Sequence, residues 1–269
     1  SQQHAERLLN TVLDSGINFI DTSIDYGQSE DFIGKYISHR RSEYYLATKS
    51  GCVVGEAPDR EATPYCHTFT RENIIAGVEQ SLARMRTDYI DLLQFHAQPS
   101  RVELEENGSV EAMLDLQQQG KIRFIGMSST LPDLLDHIQI GIFDAFQIPY
   151  SALEREHEEV ITQAAQSGAG IVVRGGAAKG SLSGIERQDD RRTIWQRAQM
   201  DDLLDGMDPT EFVLRFTFSH PNLHTNIVGT LNIEHLQANL TALAKGPLQM
   251  DQYKEAKRRL AKAGTAPRS

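Results

Sequence analysis

The stretch NFIDTSIDYGQSE, residues 18–30, begins with the apolar pattern of a buried strand and ends with the start of a helix. Its middle contains Asp21, Asp25 and Tyr26 and no proline. In a barrel of parallel strands, functional side chains lie where a strand has ended and its helix has yet to begin. The stretch therefore predicts a βα unit and, in the same place, a candidate site.

Length and composition indicate a single soluble domain. With 269 residues, of which 39% are hydrophobic, the chain is expected to form one α/β domain over residues 1–269. The formal charge of −10 leaves no basic stripe for phosphates, so no nucleic-acid partner is expected. Since no apolar run is long enough for a bilayer and SQQHAERLLN lacks a secretory pattern, we expect a cytoplasmic protein with no membrane partner. Cys52 and Cys66 are expected to be free thiols.

Short apolar runs alternate with longer segments of helical period, which is typical of βα units around a parallel sheet. Thr70 is expected to cap a helix, and Gly120 and Gly168 to end helices. The predicted strands lie near residues 18–21, 45–49, 89–95, 122–127, 143–147, 170–174 and 225–228. The predicted helices lie near residues 3–15, 29–38, 71–86, 109–119, 131–138, 155–167, 209–219, 233–244 and 249–262.

These elements predict a (β/α)8 TIM-type barrel that lacks its first strand in this chain. Because the chain opens on a helix, either the missing strand precedes it in a longer natural protein or the sheet closes differently. An open doubly wound sheet is the alternative. Its fingerprint G-x-G-x-x-G is absent after the first predicted strand, where the sequence reads IDTSIDYGQSE.

Polar residues end most of the predicted strands. Lys49 ends YYLATK and His96 ends IDLLQFH. Because a buried ammonium group needs a partner, Asp21 is expected to pair with Lys49. A lysine beside Tyr26 would stabilise its phenolate and lower its pKa from about 10. Taken singly, Lys49 suits a structural ion pair, His96 a core histidine and Tyr26 a loop aromatic. Taken together at neighbouring strand ends, they favour a functional site. The other polar strand ends carry Ser128, Ser129, Gln147, Arg174, Gly229 and Thr230.

Metal chemistry is not expected from the sequence. His96 stands alone among the predicted strand ends, whereas a metal-dependent hydrolase barrel would group histidines and carboxylates there. Cys66 and His67 lie in the long loop GCVVGEAPDREATPYCHTF, residues 51–69, without recognisable ligand spacing. No metal-ligating residue is therefore predicted.

Five segments carry a family resemblance in consistent order along nearly the whole chain. They are GINFIDTSIDYGQSEDFIGKYI, YYLATK, YIDLLQFHAQ, LQQQGKIRFIGMSS and HPNLHTNIVGTLNIEHLQANLTAL. Together they resemble the aldo-keto reductase family. The resemblance implies an NAD(P)H-dependent reductase that acts on a small aldehyde or ketone.

The resemblance also implies a catalytic tetrad of Asp21, Tyr26, Lys49 and His96. Hydride would move from the reduced nicotinamide to the carbonyl carbon, and Tyr26 would give a proton to the oxygen. Lys49 would lower the pKa of Tyr26, Asp21 would hold Lys49, and His96 would position the carbonyl oxygen. Asp25 is interpreted as a solvated or capping residue.

Cofactor contacts follow from the same resemblance. Ser128, Ser129 and Gln147 correspond to the residues that hold the nicotinamide carboxamide, with Ser129 in place of the usual asparagine. Arg174 stands where the family commonly stacks an aromatic ring, and its charge would disfavour the oxidised, cationic nicotinamide. The glycines that would let backbone N–H groups approach the pyrophosphate are Gly175, Gly176 and Gly180.

The adenosine end is expected in the segment GTLNIEHLQAN, which has no permanently charged cation. The N-terminus of its helix would attract a phosphate without a side-chain charge. NADP (as NADPH) is therefore preferred over NAD, mainly because the family usually uses it. The residues predicted here are Gly229, Thr230, Asn232, His235 and Asn239.

A non-catalytic, nucleotide-binding regulatory subunit on the same scaffold is the alternative function, and it predicts cofactor binding without turnover. The substrate is expected to be selected by residues 50–69, the stretch after His96, and residues 181–208. The oligomeric state has no recognisable sequence signal.

Overall fold

Parallel strands alternate with helices along the chain, as the computed structural model shows for residues 1–54, 67–177 and 190–268. The strands follow one another in the sheet in sequence order. They are β1 Phe19–Asp21, β2 Tyr45–Ser50, β3 Ile90–Phe95, β4 Ile122–Ser128, β5 Ala145–Pro149, β6 Gly170–Arg174 and β7 Thr225–Ile227. The predicted (β/α)8 TIM-type class is confirmed, with a helix as the first described element and seven strands in the described residues.

Eleven α-helices are described between and after these strands. They are α1 Gln2–Asp14, α2 Ser29–Tyr36, α3 Arg71–Met85, α4 Arg101–Glu106, α5 Ser109–Gln118, α6 Asp133–Ile140, α7 Glu158–Gln166, α8 Asp190–Arg197, α9 Pro209–Phe218, α10 Ile233–Ala244 and α11 Met250–Ala263. Two short 3-10 helices cover Ser38–Glu43 and Met200–Leu203.

Several helix ends follow from single residues. Thr70 caps α3, since its side chain accepts a hydrogen bond from the backbone N–H of Asn73. Ser100 and Glu103 form a reciprocal capping box at α4. Gly120 and Gly168 follow α5 and α7 with φ angles of 74° and 96°, a region that costs glycine least. The sequence predicted Thr70, Gly120 and Gly168 in these positions, but not α4.

Two differences from the sequence-based boundaries have a clear local cause. Gln147 lies in the middle of β5, not at its end, because the strand continues through the apolar Ile148 to Pro149. Helix α7 begins at Glu158, three positions later than predicted, because Ser151 and Glu154 exchange backbone hydrogen bonds in a tight turn before it.

The chain divides into two compact units, Ser1–Phe146 and Gln147–Ser269. In the first unit, β1 to β4 pair in parallel register, and the Cα atoms of Lys49 and Gln94 lie opposite each other. Strand β3 is buried throughout, which explains its nearly continuous apolar sequence. The single domain predicted over residues 1–269 stays a prediction.

The second unit has a core of apolar strand and helix residues. Strands β6 and β7 pair in parallel, and α9 buries Phe212 and Phe216 completely. Tyr150 is also buried, and its hydroxyl lies 3.3 Å from that of Tyr253. Among the described residues, no helix combines the length and the apolar character that crossing a membrane requires.

A buried histidine makes this second unit sensitive to acid. The Nε2 of His220 donates to the backbone oxygen of Glu158 (3.1 Å), and its Nδ1 accepts from the backbone N–H of Asn222 (3.2 Å). Each ring nitrogen thus has the role it takes in neutral imidazole. Burial is the main cause that holds the pKa of His220 below its ordinary value of 6.5.

His220→Gln should therefore reduce the loss of stability in acid. The unfolded chain binds the imidazole proton first, so the parent loses stability as the pH falls below the ordinary pKa, at up to about 1.4 kcal/mol per pH unit for one proton. Urea unfolding of both proteins between about pH 7.5 and about pH 5 measures how the free energy of unfolding changes with pH. The exposed His39→Gln is the control and should follow the parent. Parallel curves for parent and His220→Gln would contradict the assignment.

Candidate active site

Lys49 and Asp21 form a buried ion pair at the ends of β1 and β2. The Nζ of Lys49 donates to Asp21 Oδ2 (2.6 Å) and to the backbone oxygen of Thr22 (2.7 Å). The side chains are 1% and 6% exposed. Such a pair is stable only when hydrogen bonds satisfy both ions, because water no longer solvates them. The sequence predicted this pair.

The other oxygen of Asp21 also has a donor. Gln94 in β3 directs its Nε2 to Asp21 Oδ1 at 2.9 Å, and its side chain is fully buried. Gln94 therefore holds one oxygen of the carboxylate while Lys49 holds the other. The sequence analysis missed this residue, although a glutamine within the apolar run IDLLQF was a usable signal.

Tyr26 follows β1 and lies beside the ion pair. The Nζ of Lys49 is 4.8 Å from the centre of its ring, which is compatible with a cation–π contact. Tyr26 is 41% exposed, and its partial burial raises its pKa above 10. Lys49 acts in the predicted direction, lowering the pKa of Tyr26, but burial outweighs it. The phenol is thus protonated at neutral pH and has a proton to give.

His96 directly follows β3, and its backbone N–H donates to the carbonyl of Ser50 in β2 (3.0 Å). Its ring packs edge-on to Tyr26, with the ring centres 6.1 Å apart. Burial is the largest cause that lowers the pKa of His96 to about 4, and the charge of Lys49 adds to it. His96 is therefore neutral at neutral pH, with one N–H to donate.

Three side chains surround His96 Nδ1. Cys52 Sγ and His67 Nε2 each lie 3.3 Å from this nitrogen, and Asp25 Oδ2 lies 3.8 Å from it. Asp25 is 7% exposed, so its interpretation as a solvated or capping residue was wrong. His96 was predicted to stand alone among the strand ends, and His67 reaches it from the long loop instead, at a position that the strand pattern did not reveal.

A second buried carboxylate holds the helix that follows the β1 loop. Glu30 in α2 accepts hydrogen bonds on Oε1 from Thr48 (2.9 Å) and Ser81 (2.8 Å). Burial raises the pKa of Glu30. These bonds join α2 to β2 and α3 and so hold one end of the segment that carries Tyr26, while the ion pair at Asp21 holds the other end at β1.

Of the residues predicted to hold the nicotinamide carboxamide, Ser128 and Ser129 belong to the first unit. Both are buried at the end of β4. The Nε2 of His137 lies 2.7 Å from the carbonyl of Pro99, so Nε2 carries the ring hydrogen. Ser129 Oγ then donates to His137 Nδ1 (2.8 Å), which leaves its lone pairs to accept from a ligand.

Gln147 and Arg174 belong to the second unit. Gln147 is 2% exposed within β5, and Arg174 is the last residue of β6 and half-buried. A buried amide offers both a donor and an acceptor, which suits a carboxamide ligand.

The predicted pyrophosphate glycines have structural reasons of their own. Gly175 has a φ of 75°, which favours glycine. A Cβ on Gly176 would lie 2.4 Å from Oδ1 of Asn226, so packing against this side chain favours glycine there. Gly180 lies outside the described residues.

The predicted adenosine end surrounds the start of α10. Asn232 caps this helix by accepting from the N–H of Glu234 (2.8 Å), and Thr230 Oγ1 accepts from the N–H of Asn232 (3.1 Å). The helix N-terminus is solvent-exposed and favours anions. The remaining predicted residues of this segment, which reach solvent wholly or in part, are Gly229, His235 and Asn239.

These residues fit a nicotinamide dinucleotide. Buried hydroxyl and amide groups suit a neutral carboxamide, and an exposed helix N-terminus suits a phosphate. The match is between the hydrogen-bonding groups of each unit, taken separately, and the parts of the cofactor. It makes no distinction between NADP and NAD, because no arginine or lysine lies in GTLNIEHLQAN.

Comparison with known proteins identifies the family. The model of the aldo/keto reductase family matches residues 1–260. The chain belongs to this family. As a family member it is an oxidoreductase, and the family implies a nicotinamide cofactor.

Individual relatives and solved structures support this assignment. The chain is similar to the uncharacterized oxidoreductase YqkF of Bacillus subtilis, with 27% identity over 87% of this chain and 80% of that protein. It is 36% identical to the aldo-keto reductase YhdN of the same organism, over 65% of this chain and 53% of that protein. The holo form of an aldo-keto reductase from Bacillus halodurans matches with a TM-score of 0.86 and 26% identity, covering 100% of this chain and 90% of that one.

Gln94→Leu should destabilise the protein by about 1–3 kcal/mol, because it leaves a buried carboxylate oxygen of Asp21 without this donor. Urea unfolding at neutral pH measures the difference. The matched control is Gln237→Leu on the exposed face of α10, which should change stability by less than about 0.5 kcal/mol. Equal effects of the two substitutions would contradict a supporting role for Gln94.

Proposed function

We propose that this aldo-keto reductase reduces an aldehyde or ketone, with Tyr26 as the proton donor. The observation that carries the proposal is the arrangement around Lys49, which bonds Asp21 at 2.6 Å and lies 4.8 Å from the centre of the Tyr26 ring. A buried cation held beside a phenol is the device that makes a phenol a usable acid.

The proton step follows from these contacts. A reduced nicotinamide, when bound, supplies a hydride to the carbonyl carbon. The carbonyl oxygen then gains negative charge, and Tyr26 gives it the phenolic proton. The positive charge of Lys49 stabilises the phenolate that remains, because it favours the deprotonated form of Tyr26. Asp21 keeps the ammonium group in place and makes the pair neutral overall.

His96 is proposed to orient the carbonyl oxygen. Its pKa of about 4 keeps the ring neutral at neutral pH, so it acts as a hydrogen-bond donor and not as an acid. Nδ1 faces Asp25, Cys52 and His67. We therefore assign the hydrogen bond to the carbonyl oxygen to Nε2–H.

The cofactor is proposed to be NADPH, with NADH as the second choice. Ser128 and Ser129 are assigned to the carboxamide, as their buried hydroxyl groups support, and Gln147 stays a prediction from the family resemblance. Thr230, Asn232 and the N-terminus of α10 are assigned to the phosphate of the adenosine end. A cytoplasmic location and the lack of a nucleic-acid partner stay predictions from the sequence.

Tyr26→Phe should reduce the rate of carbonyl reduction by about 10²- to 10⁴-fold, the usual contribution of a general acid. Cofactor affinity should change little, because the substitution removes one hydroxyl. The measurements are fluorescence titration with NADPH and NADH, followed by loss of nicotinamide absorbance with a panel of reactive aldehydes and ketones. The matched control is Tyr45→Phe, at an exposed site at the start of β2, and it should keep the rate of the parent.

Two results would contradict the proposal. Equal turnover in the parent and Tyr26→Phe would exclude Tyr26 as the proton donor. Cofactor binding by the parent without turnover across the panel would favour the nucleotide-binding regulatory subunit.

A further inference from the structure

We propose that Asp25, Cys52, His67 and His96 bind a zinc ion. These residues come from three separate segments: the loop after β1, the two flanks of the long loop after β2, and the end of β3. Their ligand atoms all lie within 4.8 Å of one another. The inference goes beyond carbonyl reduction, and its test requires no turnover.

The distances from His96 Nδ1 are close to those of a four-coordinate site, and the other ligand atoms, which lie within 4.8 Å of one another, would draw together around the ion. Zinc bonds of about 2.0–2.1 Å to nitrogen and about 2.3 Å to sulfur, at tetrahedral angles, place neighbouring ligand atoms about 3.3–3.6 Å apart. His96 Nδ1 lies 3.3 Å from His67 Nε2 and 3.3 Å from Cys52 Sγ. Asp25 Oδ2, at 3.8 Å from the same nitrogen, needs only a small movement.

Hydrogen bonding alone does not explain why three side-chain atoms approach His96 Nδ1. A ring nitrogen of neutral imidazole has either one hydrogen or one lone pair. His96 Nδ1 therefore makes one good hydrogen bond, although a sulfur, a nitrogen and a carboxylate oxygen all approach it. A cation at the centre of the four atoms would interact favourably with all of them.

The type and charge of the ligands select zinc. Thiolate and imidazole together suit Zn²⁺, whereas magnesium and calcium prefer oxygen ligands alone. A cysteine thiolate, an aspartate and two neutral histidines carry two negative charges, which balance the ion. Four protein ligands leave no open position, as in structural zinc sites.

The surroundings hold the ligands in place before any ion arrives. Cys52 and His67 pair as an antiparallel bridge, and Asn73 Nδ2 donates to the backbone oxygens of Cys52 (3.1 Å) and Thr68 (2.9 Å). The ring of His67 stacks on Phe69 with an interplanar angle of 9°. Such outer contacts orient ligands in metal sites.

A zinc ion here would join the two flanks of the long loop to the end of β3. It would also fix the tautomer of His96, because a metal on Nδ1 leaves the ring hydrogen on Nε2. Zinc would therefore act as a positioning element for His96.

The test is zinc binding by the purified protein. After removal of metal with a chelator, the parent should take up one equivalent of Zn²⁺ with a dissociation constant below about 1 µM, as structural zinc sites do. Co²⁺ should give an absorption band from thiolate-to-metal charge transfer. Cys52→Ser and His67→Ala should each weaken zinc binding by more than about 100-fold, beyond the loss expected for an outer-shell partner.

The matched control is His39→Ala, which removes an exposed histidine and should bind zinc like the parent. Circular dichroism and thermal unfolding of the metal-free proteins show whether each variant is folded, and Cys52→Ser is the variant that changes the packing least. Three results would overturn the site: no uptake by the parent, equal uptake by folded Cys52→Ser, or a cobalt complex without the thiolate band. Carbonyl reduction is measured separately, so failure of the zinc site is distinguished from failure of the proposed function.

Discussion

The buried charge of Lys49 is the constraint on which the candidate site depends. An ammonium group without water must have counter-charge and hydrogen-bond acceptors, and Asp21 and Thr22 supply them from the end of β1. Since Asp21 also accepts from Gln94, the three strands β1, β2 and β3 share one polar network. The parallel register aligns these strands, and the network in turn fixes their ends.

This network sets the electrostatics of both neighbouring rings. Lys49 lowers the pKa of Tyr26 and of His96, while burial raises the pKa of Tyr26 and lowers that of His96. Both rings are consequently neutral at neutral pH, one as a phenol and the other as an imidazole. That pairing suits proton donation to an oxygen whose negative charge develops during the reaction.

The same strand ends bring together two kinds of chemistry. The ring of His96 packs edge-on to Tyr26, which belongs to the proposed reductase chemistry. Its Nδ1 meets Cys52 and His67, which are metal-ligand types. A histidine has two distinct nitrogens, so one ring can take part in both arrangements.

The sequence alone determined the alternation of strands and helices and the N-terminal cap of α3, because these depend on local period and on motifs a few residues long. All seven predicted strands end within two residues of the observed ones for that reason. The catalytic roles of the tetrad stay a prediction from the family resemblance. Only the tertiary structure decided that Gln94 supports Asp21 and that Asp25 is buried beside Cys52 and His67. Those contacts join residues tens of positions apart, and the strand register and the path of a long loop bring them within hydrogen-bonding distance. Neither the strand register nor the path of the loop produces a periodicity or a motif that can be recognised in the sequence.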